Sequence, residues 1–463
     1  MNGLTERIQS IDGLVWQPFA MPLVLLVVGG LITLTTGLIQ LKRFPLAVRT
    51  VLQSMRGGSS GEGTITQFQA LSTALASTVG NGNIGGVATA ILIGGPGAIF
   101  WMWVCAAIGM ATKYAEAILG VHYRVTRETG ELASGPMYYI TRGVPHAPSA
   151  KALATMFAFF GACGALLGTG NMAQSNTVAR TFVEAARTVG GLEIPMWVPG
   201  MLITVAVGSV LLGGIRRIAA VAERIVPAMI ALYVLSAVAY LLINIGQVPA
   251  VFVLILSEAF SPSAAVGGFA GASMAQAIAA GASRGVLSNE AGLGTAPIAH
   301  GIAKVDHPVD QGLVGIFEVF TDTIVVCSLT AFVILTSGLW TDPAFQNASG
   351  DLTAAALSTT IPGASLIVAI CSFLFGFSTL IGWCYYGEKC IEFLLGSSVI
   401  RAYRIAFTLL IMVGSVVSVP LVWALGTMLN GFMAFPNLIG MLFLLGTIKQ
   451  LTSEYFDGSP KTP

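Results

Sequence analysis

The chain has 463 residues, of which 55% are hydrophobic and 9% charged, with a mean hydropathy of +0.82. Soluble globular domains carry about 25% charged residues, so this composition excludes that class and indicates a polytopic membrane protein. The net charge of +1 gives no reason to expect a nucleic-acid partner.

The amino terminus, MNGLTERIQSIDGLVWQP, lacks the basic region and small-residue cleavage site of a secretory signal, so the first apolar run is expected to be a retained span. A crossing needs about 20 apolar residues. On that criterion eleven spans are predicted, at 20–41, 67–94, 97–118, 152–178, 196–213, 225–243, 265–283, 313–337, 362–386, 404–422 and 427–447. Placing the first loop, with Lys42, Arg43, Arg49 and Arg56, in the cytoplasm puts 19 of the 22 Lys and Arg residues on that side. The positive-inside rule therefore supports the whole alternation, with the amino terminus outside and the carboxyl terminus inside. The six cysteines lie in or at the ends of spans without a CxxC pair and are read as small packing residues. The longest loop, 119–150, is too short to bury a core, so one integral membrane domain is expected over 1–463.

Span 2 contains TVGNGNIGGVA, Thr78 to Ala88. Glycine costs about 1 kcal/mol relative to alanine inside a helix, so Gly80, Gly82, Gly85 and Gly86 predict a break near mid-membrane. Irregular backbone at that depth is tolerated only where it is buried in protein or lines a cavity. Freed carbonyls there can bind a cation, and the N–H groups opening the second half-helix can bind a carboxylate. Close packing of helices through glycine is the alternative, although two asparagines bring eight hydrogen-bonding positions with them.

Span 7, within GGFAGASMAQAIAAGASRG, is the candidate for a second break, with Gln276 in its middle. Five spans separate the two starts, so span 2 begins in the cytoplasm and span 7 outside. Spans 2–6 (67–243) and 7–11 (265–447) are thereby related by inverted topology, as in one large class of secondary transporters. Span 1 (20–41) stands outside the repeat.

GGPGAIFWMWVCAAIG (Gly94 to Gly109), GNGNIGGVA and SNEAGLGTAPIAH (Ser288 to His300) together resemble the bacterial and archaeal sodium:alanine/glycine symporters, and the likeness covers essentially the whole chain. The family more often carries GTGNIAGVA; Asn81 and Gly85 are this chain's departures. The resemblance implies an all-α, LeuT-type fold of five plus five helices with one extra amino-terminal helix and broken second and seventh helices. It also implies sodium-coupled uptake of a small neutral amino acid, alanine or glycine, across the cell inner membrane, with sodium as a co-transported ligand and no cofactor.

Asn81 and Gly82 N–H groups and the Asn83 side chain lie where they could receive the substrate carboxylate. Gln276 could accept from the ammonium, and Trp383 is placed to close the pocket. By resemblance to LeuT-type sites, sodium would meet the carbonyls of Ala76, Val79 and Phe375 and the hydroxyls of Ser378 and Thr379; hydroxyls bonded back to their own helix are the plainer reading. Asp322 and Glu318 stand four apart in span 8. Intramembrane carboxylates point to function, which makes Asp322 a candidate for coupling or gating and leaves a proton-coupled transporter as the alternative. Glu318 is expected at the interface, and Glu290 with Arg284 in a solvated cytoplasmic gate or cap. An intramembrane hydrolase is the remote alternative: GASRG (Gly281 to Gly285) fits G-x-S-x-G, but it ends a helix and the four histidines fall in predicted cytoplasmic loops, so no enzyme is expected.

Overall fold

Apolar runs of this length satisfy their backbone in hydrocarbon by forming helices, and the chain is helical nearly throughout. The computed structural model describes residues 2–17, 20–57, 60–127, 130–260, 274–345, 349–417 and 419–458. Among these, seven helical stretches are long and apolar enough to cross a membrane: Gly97–His122, Ala147–Gly190, Gly214–Ile243, Pro308–Ser337, Ala364–Leu395, Ser397–Val416 and Leu421–Phe443. Spans 1, 2 and 5 correspond to shorter apolar helices at Met21–Thr35, Gly82–Gly94 and Trp197–Leu211. Residues 265–273 of span 7 lie outside the described residues, and its helix is Met274–Asn289. The only sheet among the described residues is a two-stranded hairpin, Val125–Thr126 against Leu132–Ala133.

Several expectations are corrected. Predicted span 4 is two helices, Ala147–Leu167 and Met172–Gly190, interrupted at Gly168 to Asn171. Span 6 begins eleven residues early, at Gly214, and carries Arg216, Arg217 and Arg224 within its helix. An apolar helix, Val248–Phe260, had no counterpart in the predicted spans. Span 8 begins at Pro308 rather than 313, which moves Glu318 from the interface into the protein interior.

Span 3 lies deepest. Its apolar window is 83% buried, against 28% for Gly214–Ile243 and Ser397–Val416, so the latter two face outward. Buried within span 3, Lys113 binds Glu318 Oε1 at 3.2 Å, and His300 Nε2 lies 2.8 Å from Glu318 Oε2. All three are fully buried. Lys113 thus casts no vote in the charge asymmetry of the loops, and His300 is not a loop residue. One turn on, Glu116 Oε1 accepts from the Gly294 N–H (2.9 Å) and from Asn437 Nδ2 (2.7 Å). Spans 3, 7, 8 and 11 are joined by these two carboxylates.

Removing one partner of a buried ion pair leaves an uncompensated charge and costs about 3–5 kcal/mol. Lys113→Met should therefore lower thermal unfolding in detergent markedly, and adding Glu318→Gln should recover part of the loss; equal stability of the single variant and wild type would contradict the pairing.

Candidate functional site

Span 2 breaks where the glycines predict. Thr66 and Gln69 form a capping box that starts the first half-helix, Gln67–Thr78. Val79 then turns extended (φ −76°, ψ 94°). The Gly80 N–H donates to Asn83 Oδ1 at 2.8 Å instead of continuing the helix to the Ala76 carbonyl. Gly82–Gly86 is a π-helical turn leading into Val87–Gly94, a form that often marks functional sites.

Among the described residues, span 7 is interrupted beyond its predicted end at 283, while the start of the predicted span, 265–273, lies outside them. Gln276 sits in the uninterrupted helix Met274–Asn289 and is exposed, away from the cavity described below. The interruption instead runs from Glu290 to Thr295, before the short helix Ala296–His300. Glu290 has a left-handed φ of 57°, and Gly292 and Gly294 follow at 90° and 82°. A non-glycine residue held there is strained by roughly 1–3 kcal/mol. Its side chain is anchored: Glu290 Oε1 accepts from Trp383 Nε1 (2.8 Å) and Oε2 from Thr295 Oγ1 (2.6 Å). Glu290 is therefore buried rather than solvated, and Arg284 forms no salt bridge with it; the carboxylate whose charge reaches Arg284 is that of Asp12.

The two breaks face one small cavity of about 20 Å³. Its walls include Thr78, Gly80, Gly82 and Gly86 from span 2, Arg284, Ser288 and Glu290 from span 7, Thr379 and Trp383 from span 9, and Thr169, Gln174 and Trp423. A Cβ on Gly82 or Gly86 would meet nothing within 4 Å, whereas one on Gly170 would lie 2.5 Å from the Trp383 ring. Glycine at 170 lets the indole lie against the backbone.

Asn81 and Asn83 turn away from the cavity. The Asn81 side chain donates to Gln174 Oε1 (3.1 Å) and accepts from Ser372 Oγ (2.6 Å), while its N–H also meets Gln174 Oε1 (3.3 Å). Asn83 Nδ2 donates to Asp322 Oδ1 at 2.6 Å. Asp322 Oδ2 accepts from Ser288 Oγ (2.9 Å) and Thr323 Oγ1 (2.8 Å). This fully buried carboxylate ties span 8 to both broken helices through neutral donors.

The five predicted ion ligands are all buried. Ser378 Oγ donates to the Phe375 carbonyl at 3.0 Å, the back-bond its helix invites. Thr379 Oγ1 is buried without a hydrogen-bond partner and stands where a Cβ on Gly80 would come within 2.6 Å of it. Among span 2 carbonyls, Ala76 has lost the Gly80 donor, and the Asn83 N–H bonds Gly80 instead of Val79 (3.0 Å).

The model of the sodium:alanine symporter family matches residues 1–462. The chain belongs to this family. A member of the sodium:alanine symporter family is a multi-pass, cation-coupled amino-acid transporter rather than an enzyme. The chain is similar to the sodium/alanine symporter AgcS of Methanococcus maripaludis, with 45% identity covering 97% of this chain and 96% of that one. It is also similar to the Bacillus subtilis protein named Probable sodium/glutamine symporter GlnT, with 37% identity over 98% and 91% of the two chains. Among solved structures, the Eremococcus coleocola manganese transporter has a TM-score of 0.50 at 12% identity, covering 87% of this chain and 92% of that one, a likeness of fold alone.

Thr169, Gln174 and Trp423 of this symporter were not singled out from sequence. The signal for the first two was present: GTGN at Gly168 to Asn171 interrupts an apolar run with the same residue types as GNGN in span 2. Trp423 carried none, because a tryptophan in a span is ordinarily packing.

Trp383→Phe keeps an aromatic ring but removes the donor to Glu290. A buried acceptor left unpaired costs about 1–3 kcal/mol, so this variant should unfold at lower temperature than wild type in detergent; an unchanged unfolding temperature would contradict the bond.

Proposed function

We propose that this symporter couples inward sodium movement to uptake of a small neutral amino acid, alanine or glycine, by alternating access. One observation carries the reading: both helix breaks face a single narrow cavity lined by Arg284 and by the Glu290 carboxylate. A zwitterion presents one charge to each. The substrate carboxylate would meet Arg284 and the Gly82 N–H at the start of the second half-helix, and the ammonium would meet Glu290 and freed carbonyls of the second break. Trp383 and Trp423 are among the walls of this cavity, and bulky rings beside the substrate favour a short side chain, alanine or glycine over glutamine; at about 20 Å³ the closed cavity holds about one water, so it widens to admit either.

Sodium prefers hard oxygen ligands, as calcium and magnesium do. The carbonyls of Ala76, Val79 and Phe375 with the hydroxyls of Ser378 and Thr379 are the proposed set, supported by the unpartnered Thr379 hydroxyl and the released span 2 carbonyls. Sharing span 2 gives each ligand an interest in ordering the backbone that the other needs, a positive coupling free energy. A membrane potential of 100 mV supplies about 2.3 kcal/mol per charge and a tenfold gradient about 1.4 kcal/mol. One sodium per substrate would then support an accumulation of roughly 500-fold.

A second reading rests on Asp322, whose hydrogen-bond partners are all neutral: a proton rather than sodium would neutralise it during the cycle. Proteoliposome uptake of labelled alanine decides between them. Under sodium coupling, an inward sodium gradient drives accumulation, a proton gradient without sodium does not, and Thr379→Val lowers the apparent sodium affinity at least tenfold. Under proton coupling the gradients exchange roles and Asp322→Asn abolishes accumulation while sparing exchange. Gly82→Leu should abolish uptake in either case while leaving the protein folded, since a Cβ there meets nothing within 4 Å and the side chain would block the cavity.

The same proposal takes 67–243 and 265–447 as inverted five-helix repeats of a LeuT-type, eleven-span fold following one extra helix at 20–41. It sets the chain in the cell inner membrane with its amino terminus outside and its carboxyl terminus in the cytoplasm. A carboxyl-terminal green fluorescent protein fusion should fluoresce and an alkaline phosphatase fusion should be inactive; the opposite pair of results would invert the topology.

A further inference from the structure

On the outward flank of the molecule, the helices Trp197–Leu211 and Ile400–Val416 pack closely, with a Cβ on Gly208 only 3.1 Å from Thr408 Cγ2. Small residues at such a crossing bring two backbones together and leave a groove beside them, here of about 850 Å³. Its walls are Val205, Leu212, Ile405 and Leu409, which are 67%, 82%, 54% and 63% exposed. In a membrane protein such surface meets acyl chains.

The groove is not apolar throughout. Where Trp197–Leu211 ends and Ile400–Val416 begins, it is bounded by Ser397, Ser398, Arg401 and Arg404. Arg404 is satisfied by Glu388, with Nε to Oε2 at 2.6 Å and Nη2 to Oε1 at 3.0 Å. Arg401 is exposed and has no ion-pair partner among the described residues. Glu388, at the end of span 9, is already shared by Arg404 and Lys389. An uncompensated guanidinium at the end of a lipid-facing groove calls for an anion attached to hydrocarbon.

We propose that this groove seats one anionic glycerophospholipid, its phosphate on Arg401 and the Ser397 and Ser398 hydroxyls and an acyl chain along Leu212, Ile405 and Leu409. Charge complementarity selects this occupant. A choline headgroup would set its own cation beside two arginines, whereas an anionic headgroup meets Arg401 unopposed. Because Arg404 is tied to Glu388 at the end of span 9, the bound lipid would brace the helix that carries Trp383 and Thr379.

The test is native mass spectrometry of the full chain in detergent, titrated with phosphatidylglycerol, with phosphatidylcholine and with soluble glycerol phosphate. A basic residue near the membrane surface favours anionic lipid about fivefold. Wild type should therefore retain phosphatidylglycerol about fivefold over phosphatidylcholine and should retain no glycerol phosphate. Arg401→Ala should bring the ratio to about one, Arg401→Lys should keep most of it, and Ile405→Trp should lower binding of both lipids by filling the groove. Equal retention of the two lipids by wild type, an unchanged ratio in Arg401→Ala, binding of glycerol phosphate as tight as of phosphatidylglycerol, or a dimer in place of lipid adducts would each overturn the proposal.

Discussion

The Asp322 carboxylate accepts from Asn83 of span 2 on one oxygen and from Ser288 of span 7 on the other. Both donors adjoin helix breaks: Asn83 also caps the Gly80 N–H across the first, and Ser288 lies two residues before Glu290 opens the second. Interrupted backbone inside a membrane protein survives only if its freed groups are satisfied by protein or by what the cavity holds. A single buried carboxylate meeting both breaks therefore ties their geometry together. Moving either half-helix disturbs the hydrogen bonds of the other, which is the physical requirement for two ligands to sense one another.

Behind that junction, a second layer holds the break of span 7 in place. Glu116 accepts from the Gly294 N–H, and Asn437 donates to the Gly292 carbonyl at 2.9 Å. Positive φ at both glycines is needed for this path, and a Cβ at either would also collide with Leu25 or Phe157. Lys113, Glu318 and His300 then pin the short helix that follows to spans 3 and 8. Charges buried this fully are costly unless paired. Their pairing within the core offsets that cost and joins spans 3 and 8 to the helix after the second break.

On the proposed reading, transport uses the contrast between this rigid support and the narrow cavity in front of it. The cavity walls contain the unpartnered Thr379 hydroxyl, the strained Glu290 and Arg284, groups that on this reading would meet the ion and the substrate. The supporting layer has unpartnered oxygens of its own, Glu116 Oε2 and Gln311 Oε1, but Glu116 and Glu318 are each held by two partners. Ligand binding would thus order the front without rebuilding the back, as rocking of one repeat against the other requires.

Composition alone settled that the chain is a multi-pass membrane protein, because no soluble fold tolerates so few charges. The glycines and asparagines of TVGNGNIGGVA located the break in span 2 correctly, since helix propensity is a local property that needs no neighbours. The second break escaped the same reasoning: span 7 is rich in small residues over its whole length, so Gln276 looked central although the interruption lies in NEAGLGT. Likewise Lys113 and His300 were assigned to the cytoplasmic side and Glu318 to an interface because hydropathy counts each polar group as a cost, whereas groups from three separate segments lower that cost by meeting one another. Local chemistry could say where a helix weakens. Only the tertiary structure could say which weak points face each other, since the partners that stabilise a break, Asp322, Glu116 and Asn437, are distant in sequence and near only after the helices have packed.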